Sequence, residues 1–246
     1  MEFKNRVKIV YFDLDNTLWD FHKNEYLTLQ EIYDDHIKYI DKYYRPCEFI
    51  NAFDEYNERL WEDYRQGKIK KEVLRAIRFK NTLEAMGIYK DDISGQLDEE
   101  FVTRTSMKPY LVDNAKEILD YLYGKYKMGI ITNGFKDGQH RKLDSSNIRK
   151  YFDYVFVSDE VGAIKPSKEI FEYALTSSGF LNDEAVFIGD DYKVDIIGAN
   201  NAGINGIWFN RLDETINDKI DCILYSLMHP YHLRKLPQPQ LLLLFP

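Results

Sequence analysis

Two carboxylates stand close together near the start of the chain, and both follow a run of apolar residues. Asp13 and Asp15 are separated by one residue, and Thr17 continues the same spacing. Alternate residues of an extended segment share a face, so this spacing predicts that both carboxylates point toward one site. Carboxylates this close repel each other unless a cation joins them or one stays protonated. One could then act as a nucleophile and the other as a proton carrier. A turn with two solvated aspartates explains the motif equally well when it is taken alone.

Neutral donors and a lysine form two further motifs. A hydroxyl, an amide and a glycine-loosened backbone occur together in Thr132-Asn133-Gly134, and such groups can donate to the oxygens of a phosphate. A plain turn is the simpler explanation of that tripeptide alone. Pro166 is predicted to open a helix, which would hold Lys165 at a helix end that favours anions. The ordinary alternative for any single lysine is a solvated surface position.

A third acidic segment follows a later apolar run. The carboxylates of Asp190, Asp191 and Asp195 come directly after Gly189. A helix N-terminus enriched in acids accounts for one or two of them, but less well for all three. Mg²⁺ explains the set better, because it takes hard oxygen ligands from one or two carboxylates and keeps positions for water and phosphate.

Short apolar runs rich in β-branched residues precede most of these motifs, and they predict strands buried on both faces. The predicted strands are 7–12, 128–131, 154–157, 185–188, 204–209 and 222–227. From about residue 109 they alternate with helical patterns, one of which has Asp113 as its N-cap and Gly124 as its C-cap. This alternation is typical of βαβ units and predicts an α/β fold with a doubly wound, Rossmann-like parallel sheet.

The stretch from about residue 18 to 108 interrupts this alternation, because its pattern is almost wholly helical. The predicted separators between its helices are Pro46, Gly67, Gly87 and Gly95. A helical insert at the end of a central strand would lie over the sheet edge where open α/β folds bind ligands. We therefore expect a core of residues 1–17 and 109–246 and an inserted helical cap of residues 18–108. An independent bundle beside the core is the alternative.

Composition excludes several classes of protein. The 246 residues include 33 Lys and Arg against 41 Asp and Glu, and the formal charge of −8 argues against a nucleic-acid polymer as partner. A hydrophobic fraction of 44 % argues against intrinsic disorder. Cys47 and Cys222 lie far apart, which indicates a reducing compartment and no disulfide framework. With a charged N-terminus and no run near the ~20 apolar residues of a membrane span, we expect a cytoplasmic protein without a membrane partner, as a monomer or weak homodimer.

The order of the motifs is more specific than any one of them. The ordered set is Asp13-x-Asp15-x-Thr17, Thr132-Asn133, Lys165-Pro166 and Gly189-Asp190-Asp191. This set resembles the four signature motifs of the haloacid dehalogenase-like hydrolase superfamily, over about residues 7–210. The helical insert resembles members whose cap lies between the first and second motifs. The resemblance implies that the first strand is central and is flanked by the strands that carry the second and fourth motifs.

The resemblance also implies an enzyme that uses an aspartyl-phosphate. Asp13 would be the nucleophile, while Asp15 would protonate the leaving oxygen and then activate water. The phosphoryl oxygens would be bound by Thr132, Asn133 and Lys165, with Thr17 and Gly134 as further substrate-binding residues. Dehalogenases of this superfamily lack an acid at the second aspartate, because a halide leaves without a proton. The acid is present here, which favours a phosphatase.

The cofactor that the resemblance implies is Mg²⁺. It would be held by the carboxylate of Asp13, the backbone carbonyl of Asp15 and the carboxylate of Asp190. Asp191 and Asp195 would orient waters or the lysine of the third motif, and the sequence does not separate their roles. Five carboxylates are thus assigned to one site in a net-negative protein that handles a phosphomonoester.

The substrate is a separate question. Residues 60–67 with Ile69, and residues 78–79, 128–135 and 160–166, are similar to pyrimidine 5′-nucleotidases, which implies a nucleoside 5′-monophosphate. Trp61, Tyr64 and Phe79 are candidates to stack on a base, although helical spacing fits Trp61 and Phe79 better as core residues. Arg65 and Arg78 could touch the nucleoside or pair with acids. A sugar-phosphate phosphatase, a phosphomutase and a non-catalytic phosphate-binding module are the alternatives, and the Pro- and Leu-rich tail from about residue 230 has no functional interpretation.

Overall fold

The structure is a computed structural model, and it describes residues 6–40, 42–213, 215, 223–224 and 226–227. Cys222 and the Pro- and Leu-rich tail therefore lie outside the described residues. The chain divides into two compact units: an α/β unit of Met1–Phe21 with Pro109–Pro246, and a helical unit of His22–Lys108. Within the part of the chain that is described, no helix combines the length and the apolar character needed to cross a membrane.

A parallel sheet forms the centre of the α/β unit. Its six strands among the described residues are β1 (Ile9–Phe12), β2 (Lys127–Thr132), β3 (Tyr154–Val157), β4 (Ala185–Gly189), β5 (Asn205–Phe209) and β6 (Ile223–Leu224). The spatial order is β3-β2-β1-β4-β5-β6, and every pairing is parallel. The predicted doubly wound parallel sheet is confirmed, with β1 between the strands that carry the second and fourth motifs. The observed strands begin or end one to three residues away from several predicted bounds.

The described residues of the helical unit form helices joined by short turns, as the pattern predicts. Its elements are α1 (Phe21–Ile32), a π-helical turn (Tyr33–Ile37), α2 (Lys38–Ile40), α3 (Pro46–Arg65), α4 (Lys71–Ala85) and α5 (Asp91–Ser106). Gly95 lies inside α5, so its prediction as a separator is wrong; a Cβ there would meet nothing within 4 Å, and the helix tolerates glycine at this exposed position. Pro46 is the first residue of α3, where its missing N–H costs no hydrogen bond.

Where the α/β unit is described, five helices accompany the sheet: α6 (Ala115–Leu122), α7 (Lys136–Ser145), α8 (Ser158–Val161), α9 (Lys168–Ser178) and α10 (Ile197–Asn201). Alternate residues of β1 face opposite sides. Val10 and Phe12 belong to one apolar cluster, and Ile9 and Tyr11 belong to the other. Because both faces are covered, the strand shows a continuous apolar run rather than alternation.

Three predicted helix ends differ from the structure. Asn114, in the left-handed conformation at φ 65°, is the N-cap of α6 in place of Asp113, and Gly124 lies one residue beyond the C-cap with φ 76°. Asparagine and glycine are the residues that tolerate this conformation best. Pro166 does not open a helix, because α9 begins two residues later with Ser167 as its N-cap. The Ser167 hydroxyl accepts a hydrogen bond from the amide N–H of Glu169. A proline side chain has no acceptor for such a bond.

Candidate functional site

The four motifs meet at the carboxyl edge of the sheet. Phe12 is in register with Ile130 on β2 and with Ile188 on β4, so the residues that follow these strands arrive at the same level. Asp13 follows β1, Thr132 ends β2, and Asp190 follows β4. The backbone N–H of Asp13 donates to the carbonyl of Ile188 at 2.8 Å, which fixes the first motif against the fourth.

Lys165 is a buried lysine and not a surface one. Only 1 % of it is exposed, and its Nζ donates to Asp13 Oδ1 and to Asp195 Oδ1, at 2.6 Å each. Burial alone would lower the pKa of this ammonium, but the two carboxylates outweigh burial and hold the pKa above its ordinary value. The prediction that Lys165 lies at a helix N-terminus is wrong, because α9 begins only at Lys168. Two carboxylates stabilise the charge of Lys165 instead.

The second motif holds the third in place. Asn133 Nδ2 donates to the backbone carbonyl of Lys165 at 2.9 Å, and the Lys165 N–H donates to Asn133 Oδ1 at 2.8 Å. This amide-to-backbone pair fixes the segment that carries the lysine. In the structure, therefore, the Asn133 side chain positions Lys165.

Three carboxylates are clustered beside the lysine. One oxygen from each of Asp13, Asp190 and Asp195 lies within 4.8 Å of the others. Thr17, predicted to bind substrate, donates its hydroxyl to Asp190 Oδ1 at 3.0 Å. Burial is the main cause that raises the pKa of Asp13, to about 7, and it also raises the pKa of Asp190 and Asp195. The neighbouring carboxylates add to the effect on each.

This donor set fits a divalent cation. Three buried or half-buried carboxylates face one ammonium, so the cluster carries surplus negative charge in a place that water screens poorly. Both oxygens of Asp195 already accept hydrogen bonds, from Lys165 Nζ and from the N–H of Asp191. Asp13 and Asp190 are therefore the carboxylates best placed to ligate Mg²⁺, which prefers hard oxygen donors.

The structure separates the two acids whose roles the sequence leaves open. Asp191 Oδ1 accepts the N–H groups of Lys193 and Val194, so this residue caps the π-helical turn Tyr192–Ile196. Asp195 is buried and bonds to Lys165. Gly189 makes room for it, because a Cβ at Gly189 would lie 2.3 Å from Asp195 Oδ2. Asp195 thus positions the lysine, while Asp191 shapes the loop.

Asp15 lies outside the carboxylate cluster and has partners of its own. Lys142 Nζ lies 2.7 Å from its Oδ1 and 2.8 Å from its Oδ2, and Gln139 Nε2 donates to its Oδ2 at 3.0 Å. Sequence reasoning missed both partners. The available signal is their spacing of three residues on α7, which places them on one face of the helix that follows the second motif.

Gln139 also explains the glycine of the second motif. Its Nε2 donates to Thr132 Oγ1 at 2.6 Å, and a Cβ at Gly134 would lie 2.5 Å from its Cδ. Gly134 therefore provides the space through which Gln139 reaches the first and second motifs. This role is steric, and the contact of Gly134 with substrate stays a prediction.

The candidate residues of the helical unit separate into buried and partly exposed groups. Phe79 is fully buried, with its ring 4.8 Å from that of Phe53, so the core interpretation of Phe79 is confirmed and base stacking is excluded. Arg78 is 3 % exposed and donates to Asp98 Oδ1 at 2.6 Å. Trp61 and Tyr64 remain partly exposed, with their rings 5.6 Å apart.

Arg65, also partly exposed, donates to Glu62 through Nε and Nη2. The pairing of arginines with neighbouring acids, which the sequence left open, is therefore observed for both candidate arginines of this unit. Cys47 carries an exposed free thiol.

Comparison with known proteins gives a consistent result. The sequence pattern of the family described as "Haloacid dehalogenase-like hydrolase" matches residues 10–209. Pyrimidine 5′-nucleotidase YjjG of Escherichia coli (strain K12) is 33 % identical over 202 residues, which are 82 % of this chain and 85 % of that protein. Pyrimidine 5′-nucleotidase PynA of Streptococcus pneumoniae is 31 % identical over 209 residues, 82 % of this chain and 84 % of its own.

Two further similarities bear on substrate and cofactor. A glyceraldehyde 3-phosphate phosphatase of Pyrococcus furiosus is 26 % identical over 206 residues, 83 % of this chain and 81 % of its own. Among solved structures, the HAD-hydrolase YfnB of Bacillus subtilis, bound to magnesium, superposes with a TM-score of 0.80 at 25 % identity. The match covers 94 % of this chain and all of that one. From the family match, the parallel sheet and the relatives' activities, this chain belongs to the haloacid dehalogenase-like hydrolases and is a phosphatase of that family.

Proposed function

We propose that this protein is a Mg²⁺-dependent phosphomonoesterase that works through an aspartyl-phosphate at Asp13 and acts on pyrimidine nucleoside 5′-monophosphates. The observation that carries the proposal is the position of Asp13. It lies at the end of the central strand, its carboxylate is held by the buried ammonium of Lys165 at 2.6 Å, and Asp190 lies beside it. A fixed carboxylate next to a cation site is what a nucleophile for phosphorus requires.

In the first step, an Asp13 carboxylate oxygen attacks phosphorus, and the bond from phosphorus to the ester oxygen breaks. Asp15 gives its proton to that leaving oxygen. In the second step, water attacks the phosphorus of the aspartyl-phosphate and passes a proton to Asp15, and the bond from phosphorus to the Asp13 oxygen breaks. Inorganic phosphate leaves, and both aspartates return to their starting states.

The remaining residues act on charge and position. Lys165 and the Thr132 hydroxyl stabilise the phosphoryl oxygens as charge moves in the transition state. Asn133 and Asp195 hold the lysine in place through its backbone and its ammonium. Mg²⁺ held by Asp13 and Asp190 would neutralise the repulsion between an anionic nucleophile and an anionic substrate.

The helical unit is proposed as the cap domain that selects the substrate. It is inserted in the chain between β1 and β2, and both of its ends join the α/β unit, at residues 21–22 and 108–109. Trp61 and Tyr64 are the proposed base-stacking residues, because they form an aromatic pair that is partly exposed. The similarity to two pyrimidine 5′-nucleotidases supports a nucleotide substrate.

Release of inorganic phosphate from a panel of phosphomonoesters with Mg²⁺ tests this proposal. UMP, dUMP and dTMP are expected to give higher kcat/KM than AMP, GMP, glyceraldehyde 3-phosphate and hexose phosphates. Tyr64→Ala should raise KM for UMP and leave p-nitrophenyl phosphate unaffected, whereas Tyr39→Ala, at an exposed position of α2, serves as the matched control. Equal rates on all nucleotides and sugars would remove the nucleotidase proposal, and higher rates on sugar phosphates would favour the alternative.

A further inference from the structure

The α7 side chains that hold Asp15 form a separate polar cluster at the sheet edge, which we name the Asp15 clamp: Asp15, Gln139 and Lys142. Lys142 is 7 % exposed, whereas a quarter of the Asp15 side chain is exposed. The carboxylate therefore has an open side, while the ammonium that holds it is buried. Three donated hydrogen bonds, two from Lys142 and one from Gln139, fix both carboxylate oxygens.

Lys142 is itself held from the other side. Its Nζ lies 4.6 Å from the centroid of the Trp19 ring and 5.4 Å from that of Phe21. Aromatic faces attract a cation, and the attraction is stronger where water is excluded. Trp19 is fully buried and belongs to the same loop as Asp15, so the lysine remains in place without relying on the charge of the carboxylate alone.

Gln139 connects the clamp to the phosphate side of the site. The same Nε2 that donates to Asp15 Oδ2 also donates to Thr132 Oγ1 at 2.6 Å. The orientation of Asp15 is therefore tied to a residue that the proposed mechanism places on the phosphoryl oxygens. A surface ion pair would lack this link and would hold its carboxylate only loosely.

We propose that Lys142, assisted by Gln139, is a positioning residue that aims the Asp15 carboxylate at the leaving oxygen and at the hydrolytic water. The inference rests on the proposed phosphatase mechanism. When Asp15 gives its proton to the leaving oxygen it becomes a carboxylate, and the three hydrogen bonds of the clamp stabilise that carboxylate. The same bonds then keep it oriented to take the proton of the attacking water.

The test measures how strongly the rate depends on the leaving group. Proton donation matters most when the leaving alkoxide is a strong base and least when it is p-nitrophenolate. Lys142→Met is therefore expected to lower kcat/KM about 10²–10³-fold on phenyl and alkyl phosphates and under about 10-fold on p-nitrophenyl phosphate. Lys142→Arg, which keeps the charge and the donors, should restore part of the loss on the alkyl esters.

The matched control is Lys136→Met. Lys136 is the first residue of the same helix, is exposed and pairs with Glu160, so its removal should change neither rate. In an Asp15→Asn background, Lys142→Met should cause little further loss, because a positioning residue has no effect once its target is gone. Gln139→Leu, with an expected loss of about 10-fold on alkyl esters, provides the same test if Lys142→Met fails to fold.

Three results would overturn the inference. These are an equal loss on all leaving groups, a full additional loss in the Asp15→Asn background, and wild-type rates for Lys142→Met. The failure of the proposed function gives a different result, because wild-type protein would then release no phosphate from any ester, or Asp13→Asn would remain active. That result would overturn both proposals together.

Discussion

Each unit of this protein contains a buried cluster of charges, and the two clusters differ in balance. In the α/β unit, one ammonium, that of Lys165, faces the carboxylates of Asp13, Asp190 and Asp195. In the helical unit, one carboxylate, that of Asp98, receives hydrogen bonds from Arg75 and Arg78.

The difference separates a site from a structural network. Buried acids in excess raise one another's pKa, and an added cation would stabilise their charged forms. In the helical unit, the charge of Asp98 is already neutralised by arginines of the protein. Arg78 also lies 4.5 Å from the ring of Phe101, which identifies it as part of the core. A surplus of charge, rather than burial of charge as such, marks the site of chemistry.

The largest expected effect is that of Asp13→Asn. The variant removes the proposed nucleophile, so turnover should fall by at least about 10⁴-fold. Its thermal unfolding midpoint should stay at the wild-type value or rise, because one of three mutually repelling acids is lost. Steady-state kinetics on p-nitrophenyl phosphate and thermal unfolding measure the two quantities. Appreciable turnover by this variant would contradict the covalent mechanism.

A pair of variants directly tests the comparison between the Lys165 cluster and the Asp98 cluster. Lys165→Met should lower kcat/KM about 10²–10³-fold, since it removes a charge from the proposed phosphoryl site. Arg78→Met should instead lower the free energy of unfolding by about 3 kcal/mol and leave kcat per folded molecule nearly unchanged, because it breaks a buried ion pair. Urea titration and kinetics on both variants give the answer. A large loss of kcat in Arg78→Met with normal stability would show that the two clusters are not of different kinds.

Two glycines, one beside the carboxylate cluster and one in the helical unit, also differ, and substitutions there are expected to have smaller effects. A Cβ on Gly189 would displace the Asp195 carboxylate that holds Lys165, so Gly189→Ala should lower kcat/KM about 10–10²-fold. Gly95 lies in α5 with nothing within 4 Å of its added Cβ, so Gly95→Ala should stabilise the protein by about 0.5–1 kcal/mol without affecting turnover. Similar kinetics for the two variants would mean that the position of Asp195 is unimportant.

The stability of the protein is also expected to depend on pH and on metal. The pKa of Asp13 rises from 3.8 to about 7, and those of Asp190 and Asp195 also rise. At pH values between the ordinary pKa of these acids and their raised pKa, the folded, metal-free protein retains protons that the unfolded chain has released. Its free energy of unfolding therefore falls as pH rises.

Mg²⁺ competes with those protons, so saturating Mg²⁺ should add about 1–3 kcal/mol at about pH 8 and clearly less at about pH 5. Thermal unfolding with Mg²⁺ or with a chelator measures this difference. The double variant Asp13→Asn, Asp190→Asn should not be stabilised by Mg²⁺ at either pH. Equal stabilisation at both pH values would contradict a metal site built from these carboxylates.

Local patterns were sufficient for the fold. Continuous apolar runs predicted the buried strands, and β3 agrees with its predicted bounds residue for residue. The prediction was weaker at the ends of helices. α9 begins at Lys168 and not at Pro166, and Asn114 is the N-cap of α6 in place of Asp113, because helix ends depend on backbone conformation that composition does not reveal.

By itself, the sequence determined the α/β architecture, the helical insert, the family and the motif residues that meet at the sheet edge. These follow from periodicity and from short polar motifs after strands, which are local properties of the chain. Only the tertiary structure decided that Lys165 is buried between two acids, that Asp195 rather than Asp191 joins the cluster, and that Lys142 holds Asp15 from 127 positions away. The physical reason is that burial and pairing of charges depend on which distant side chains the sheet brings together, and spacing along the chain carries no record of that.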